Sequence, residues 1–174
     1  MKLLFSFALL FMFNSMLFGG EMLKVGDTAP DFELSDSKGT VHKLADYKDG
    51  ITVIYFYPKD DSPGCTKEAC NLRDNYEALL SEGISILGIS YDDSASHKNF
   101  TEKYNLPFPL LSDNTRKVAD SYGADRGLLN MMGPKRITYM VGPNGKILHV
   151  FDKVDSGNHA AQILEIVSAT KKNK

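Results

Sequence analysis

The chain has 174 residues, 43% hydrophobic and 24% charged, which fits one globular domain with room for a sizeable core. A formal charge of −2 gives no electrostatic reason to expect nucleic acid or an anionic membrane surface as partner. Four scattered histidines and two cysteines do not make a Cys/His zinc site of the usual spacings, and no glycine-rich phosphate loop is present.

In chain order, residues 1–20 (MKLLFSFALLFMFNSMLFGG) stand apart: one early charge, Lys2, then mostly Leu, Phe and Met, then Gly19-Gly20. This fits a secretory signal and hence an exported or periplasmic protein, although Leu17 and Phe18 make a poor cleavage site. An uncleaved membrane anchor is one alternative. A cytoplasmic protein starting at Met22 is the other, and N-terminal sequencing of the native protein separates all three. Residues 21–174 then form a single domain. Phe32–Leu34 and Val41–Leu44, around Ser37-Lys38-Gly39, predict an N-terminal hairpin. Residues 51–57 (ITVIYFY) predict a strand buried on both faces. Residues 84–90 predict a second inner strand and Phe108–Leu111 a third. Ile137–Val141 and Lys146–Phe151 predict a hairpin through Pro143-Asn144-Gly145. Helices are expected over 64–80, 94–104, 115–122 and 158–170. The alternation predicts an α/β fold with a central mixed sheet flanked by helices, which periodicity alone does not name.

The stretch from Tyr57 to Cys70 is the most informative. Ser62 is a natural N-cap and Pro63 suits the first helical position, so Cys65 becomes the third helical residue, among amides without intrahelical partners. A thiolate there accepts backbone hydrogen bonds and feels the positive end of the helix dipole, and both favour ionisation. The dipole supplies only about 0.3–1 kcal/mol. Asp60 and Asp61 oppose it by like charge. One nearby arginine contributes about 4 kcal/mol at an effective dielectric near 20. Arg136, at the head of a predicted inner strand, is the best placed; Lys59, Lys67 and Arg73 can point to solvent.

Cys65, Ala69, Leu72, Tyr76, Leu79 and Leu80 form an apolar stripe, whereas Cys70 falls on the opposite side with Asp74, Glu77 and Ser81. Residues five apart in a helix have Cα atoms about 8.6 Å apart, and a disulfide needs less than about 7 Å. If Cys65 and Cys70 pair, the first turns must unwind. On these grounds alone, an inert buried cysteine and a reactive one remain equally good readings.

Residues 55–74 (YFYPKDDSPGCTKEACNLRD) closely resemble the active-site segment of the peroxiredoxins, in particular the bacterioferritin-comigratory or Q-type branch. The resemblance runs from about Val25 to Val167 and includes residues 25–32 (VGDTAPDF), 136–139 (RITY) and 142–147 (GPNGKI). It implies a thioredoxin-like fold and reduction of hydrogen peroxide or organic hydroperoxides without metal or cofactor. By the same resemblance, Cys65 is the peroxidatic cysteine and Cys70 the resolving one, the two forming an intramolecular disulfide. Pro58 shields the pocket, Ser62 offers its hydroxyl to peroxide and thiolate, and Arg136 stabilises the charge. Glu68 reads as a helix-support residue, and Met131-Met132 as an ordinary loop or core pair. The implied partners are a hydroperoxide and thioredoxin, or an exported thioredoxin-like reductant if the chain is exported, with the protein a monomer. A disulfide oxidoreductase is disfavoured because no C-x-x-C occurs. A non-catalytic redox sensor is the remaining alternative, and turnover separates it from an enzyme.

Overall fold

The first two strands of the described chain are three residues each and make only a short, half-exposed hairpin. Strand β1 (Glu33–Ser35) pairs antiparallel with β2 (Val41–Lys43). Asp36 Oδ1 closes the turn by accepting the amides of Lys38 and Thr40, with Gly39 at φ 80°. Strand β3 (Ile51–Phe56) is different: every residue after Ile51 is buried, as expected of a strand covered on both faces. In the computed structural model, which describes residues 20–127 and 132–172, β3 is the middle strand of a five-stranded sheet. Strands β4 (Ile84–Ser90) and β5 (Leu110–Ser112) extend it in parallel on one side. Strands β6 (Ile137–Val141) and β7 (Ile147–Phe151) extend it antiparallel on the other.

Period-two alternation along β3 divides the core. Val53 and Tyr55, continued by Tyr57, face the side covered by helices α1 (Pro63–Asp74), α2 (Tyr76–Ser81), α3 (Ser94–Tyr104) and α5 (His159–Lys172), meeting Leu72, Leu79, Phe100 and Ile163. Ile54 and Phe56 face the other side, with Leu87, Tyr139, Tyr122 and Ala119 of α4 (Lys117–Ser121). The α/β architecture expected from the sequence, a central mixed sheet flanked by helices, is the one found, with the hairpin as a separate two-stranded sheet.

Four local expectations need correction. The helix expected over 64–80 is two helices, broken at Asn75. There the Asn75 side-chain amide donates to the Asn71 carbonyl at 2.8 Å, occupying the acceptor that a continuing helix would offer to a backbone amide. The break rotates the following residues, and Leu80 is exposed rather than on the apolar stripe. Thr170, expected on the apolar side of the last helix, is also exposed. The strand expected at 108–111 is confined to Leu110–Ser112, because Pro109 has no amide to give the ladder; its carbonyl accepts from Gly88 instead. Among the described residues no helix is long and apolar enough to cross a membrane. Residues 1–19, the expected signal or anchor apart from Gly20, lie outside the described residues, as does Met131. Met132 is an exposed loop residue.

Candidate active site

The carboxyl end of β3 delivers the chain into Tyr57-Pro58-Lys59-Asp60-Asp61-Ser62, a loop held mainly by its two aspartates. Asp60 is buried and saturated: Tyr57 OH donates to Oδ1 at 2.7 Å, and Ser96 Oγ and His97 Nδ1 lie 2.7 and 2.8 Å from Oδ2. The Asp60 amide in turn donates to Asp92 Oδ2 at 2.9 Å. Asp61, in the left-handed region at φ 54°, takes Lys103 Nζ on one oxygen and Tyr104 OH on the other. These contacts hold its carboxyl below the usual carboxylate range, the Lys103 bond being the largest cause. The two aspartates therefore do not simply oppose charge at Cys65. Both are engaged by α3, and together they fix the loop from which α1 departs.

Ser62 has the extended backbone of an N-cap (φ −76°, ψ 149°) and Pro63 follows at the first helical position, so Cys65 is the third helical residue, as expected. The expected side-chain cap is absent. Ser62 Oγ donates to the Lys59 carbonyl at 2.9 Å, tightening the loop rather than receiving a helix amide.

Cys65 is 1% exposed within the aromatic cluster of Tyr55 and Tyr57. Its sulfur accepts from Arg136 Nη2 at 3.2 Å. At that distance a unit pair contributes about 5 kcal/mol gross at an effective dielectric near 20. Burial works against the guanidinium's charge, but Glu68 and Cys65 outweigh it and hold Arg136 above its ordinary value. The other cations considered from sequence are placed elsewhere. Arg73 binds Asp74 and the Tyr104 carbonyl, and Lys59 and Lys67 are exposed.

Glycines make the close approaches possible. A Cβ on Gly64 would come within 3.2 Å of Arg136 Nη2. Gly133, at φ 75°, lies so near the Pro58 carbonyl that a Cβ would stand 1.8 Å from that oxygen. Pro58, in the loop that leads to α1, is thus pressed against Gly133 in the segment leading to Arg136. Cys70, on the outer side of α1, is partly exposed, and both cysteines are free. The structure brings Cys65 and Arg136 together, sets Pro58 against Gly133, keeps Cys70 on the outer side of an intact helix, and turns the Ser62 hydroxyl to Lys59.

Glu68 was misjudged from the sequence. It is wholly buried, ion-paired through Oε2 to Arg136 Nη1, and approached on Oε1 by His159 Nδ1 at 3.0 Å. A signal was available: positions three apart share a helix face, so Glu68 had to look inward with Cys65. His159, with Ile163 and Val167 at four-residue steps, likewise belonged to an apolar stripe. Both were hidden because their partners are 68 and 91 residues away in the chain.

Comparison with known proteins agrees with this geometry. Residues 25–150 match the profile of the AhpC/TSA family. The chain is 41% identical to the chloroplastic peroxiredoxin Q of Oryza sativa subsp. japonica over 145 residues, covering 83% of this chain and 66% of that protein. It is 41% identical to a putative peroxiredoxin bcp of Coxiella burnetii over 146 residues, 82% of this chain and 97% of the relative. Its coordinates superpose on peroxidoxin BcpB of Mycobacterium tuberculosis with a TM-score of 0.80 at 38% identity, covering 86% and 98% of the two chains. The chain spans just under two thirds of the rice protein and almost all of the bacterial ones. It belongs to the AhpC/TSA family, in the peroxiredoxin Q/Bcp branch.

Proposed function

We propose that the protein is a thiol-dependent peroxidase that reduces hydrogen peroxide and organic hydroperoxides in antioxidant defence. The observation that carries this reading is a buried sulfur at the third residue of α1 with a guanidinium nitrogen 3.2 Å away. The Cys65 thiolate attacks one peroxide oxygen and the O–O bond breaks. The other oxygen leaves as alcohol or water after taking a proton, and Cys65 becomes a sulfenic acid. Arg136 donates to the sulfur beforehand and to the charged oxygens as the bond breaks. Pro58 keeps bulk water from the pocket, and the Ser62 hydroxyl turns from Lys59 to bind the peroxide. Cys70 then attacks the Cys65 sulfur, water leaves, and a Cys65–Cys70 disulfide forms. A thioredoxin-type dithiol restores both thiols by exchange. The bridge lies within one chain, so a monomer suffices for the cycle. The reading also places the protein outside the cytoplasm, on the apolar, Lys2-led character of residues 1–20; an exported thioredoxin-like dithiol is then the donor.

Helix α1 must open for the second step, and its anchors set how far. Asn71 is clamped to α5, donating to the Gly157 carbonyl at 3.0 Å and accepting the Ala160 amide at 2.9 Å. Arg73 is tied to the Tyr104 carbonyl at 2.7 Å. Unwinding is therefore confined to residues 63–70. The oxidised protein should lose helical far-ultraviolet CD signal and gain protease cleavage within 63–70, reversibly with dithiol. Identical CD and cleavage in both forms would sink this step.

The peroxidase reading is tested by supplying a dithiol donor with excess peroxide. Consumption of many equivalents per chain is expected. Consumption of about one would mark a sensor instead.

A further inference from the structure

The sulfur's support does not stop at Glu68. His159, the first residue of α5, is 0% exposed, with Nδ1 3.0 Å from Glu68 Oε1. The approach is close but off the line of a well-formed hydrogen bond, and among the described residues neither imidazole nitrogen has another hydrogen-bond partner. Glu68 Oε1 likewise has no other donor, while Oε2 faces Arg136. A wholly buried carboxylate oxygen needs a donor or a cation, and His159 Nδ1 is placed to be that donor. The ring itself is held edge-on to Phe151 at 5.5 Å. The head of α5 is fixed to α1 by the two Asn71 bonds.

We propose that His159 is a positioning residue for peroxide attack. Its Nδ1–H holds Oε1 of Glu68, which fixes Oε2 on Arg136 Nη1 and so turns Nη2 onto the Cys65 sulfur. The relay joins the last helix of the chain to the reacting atom without His159 touching substrate. It rests on the peroxidase reading above.

The test uses isosteres that differ in where they put a donor. In His159→Asn the side-chain amide nitrogen falls near the Nδ1 position; in His159→Gln it falls near Nε2; His159→Phe has none. The readouts are the rate constant for Cys65 oxidation, from competition with a haem peroxidase, and separately the rate of disulfide closure from the sulfenic acid, by quenching and alkylation. Melting temperatures are recorded for each variant. His159→Gln and His159→Phe are expected to slow Cys65 oxidation on the order of tenfold or more, the usual scale for removing a partner that orients an active group. His159→Asn should stay close to the parent rate, and disulfide closure should change in none of them. In a Glu68→Gln background, His159→Gln should cause no further loss. Equal rates for the Asn and Gln variants, or an undiminished loss in the Glu68→Gln background, would overturn the proposal. If the parent protein itself fails to react with peroxide, the peroxidase reading falls first, and this proposal with it.

Discussion

Replacing Cys65 with serine is expected to abolish peroxide turnover, leaving no rate above the uncatalysed reaction. A serine hydroxyl in the same place is neither ionised nor a comparable nucleophile towards the O–O bond, and Cys70 is no substitute. Cys70 lies on the far side of α1, outside the pocket of Tyr55, Tyr57 and Arg136. Cys70→Ser has a different signature. The first step should proceed at close to the parent rate, one equivalent of peroxide should be consumed, and the Cys65 sulfenic acid should persist long enough to be trapped by dimedone and seen by mass spectrometry. Retained turnover in Cys65→Ser would refute the mechanism outright. Full turnover in Cys70→Ser with thioredoxin as donor would remove the resolving role while sparing the peroxidatic one.

The second large effect belongs to Arg136. Arg136→Met removes the hydrogen bond to the sulfur and the cation facing the departing oxygen, and it strands Glu68 as a buried carboxylate. Loss of one preorganised donor at developing charge costs about 10²–10³ in rate, and the rate constant for Cys65 oxidation should fall by that much. Arg136→Lys should recover little. A lysine ammonium is a point charge on a flexible stem, without the rigid planar fork that sets Nη1 on Glu68 Oε2 and Nη2 on the Cys65 sulfur. Rapid-mixing kinetics at several peroxide concentrations measure both variants, and a lysine variant at the parent rate would mean that charge alone is sufficient.

The parts of this site that could be read from sequence are those whose logic is local. Pro63 after Ser62 placed the helix start, the start placed Cys65 at the third position, and the weakness of a dipole acting alone demanded a distant cation. The continuous apolar run at 51–57 gave the central strand for the same reason, since burial on both faces needs no partner to be recognised. What sequence missed depends on competition between equally local alternatives or on remote contacts. Ser62 chose the Lys59 carbonyl over a helix amide, and Asn75 chose the Asn71 carbonyl over helical continuation. Both choices use groups that the expected structure also used. Asp60 looked like an opposing charge because its compensating Tyr57, Ser96 and His97 are supplied largely by α3.

Glu68 sits between the two cysteines, inside the eight residues that uncoil in the proposed cycle. When the disulfide closes, the carboxylate that steadies Arg136 is carried off with the backbone. The oxidised molecule thereby dismantles its own trigger: no second peroxide meets a prepared guanidinium until reductant has cut the bridge and the turns have rewound. Rearming thus waits on the reductant: a few turns of helix rewind within about a microsecond, so the pace of recovery is set by how quickly a dithiol reaches and cuts the bridge.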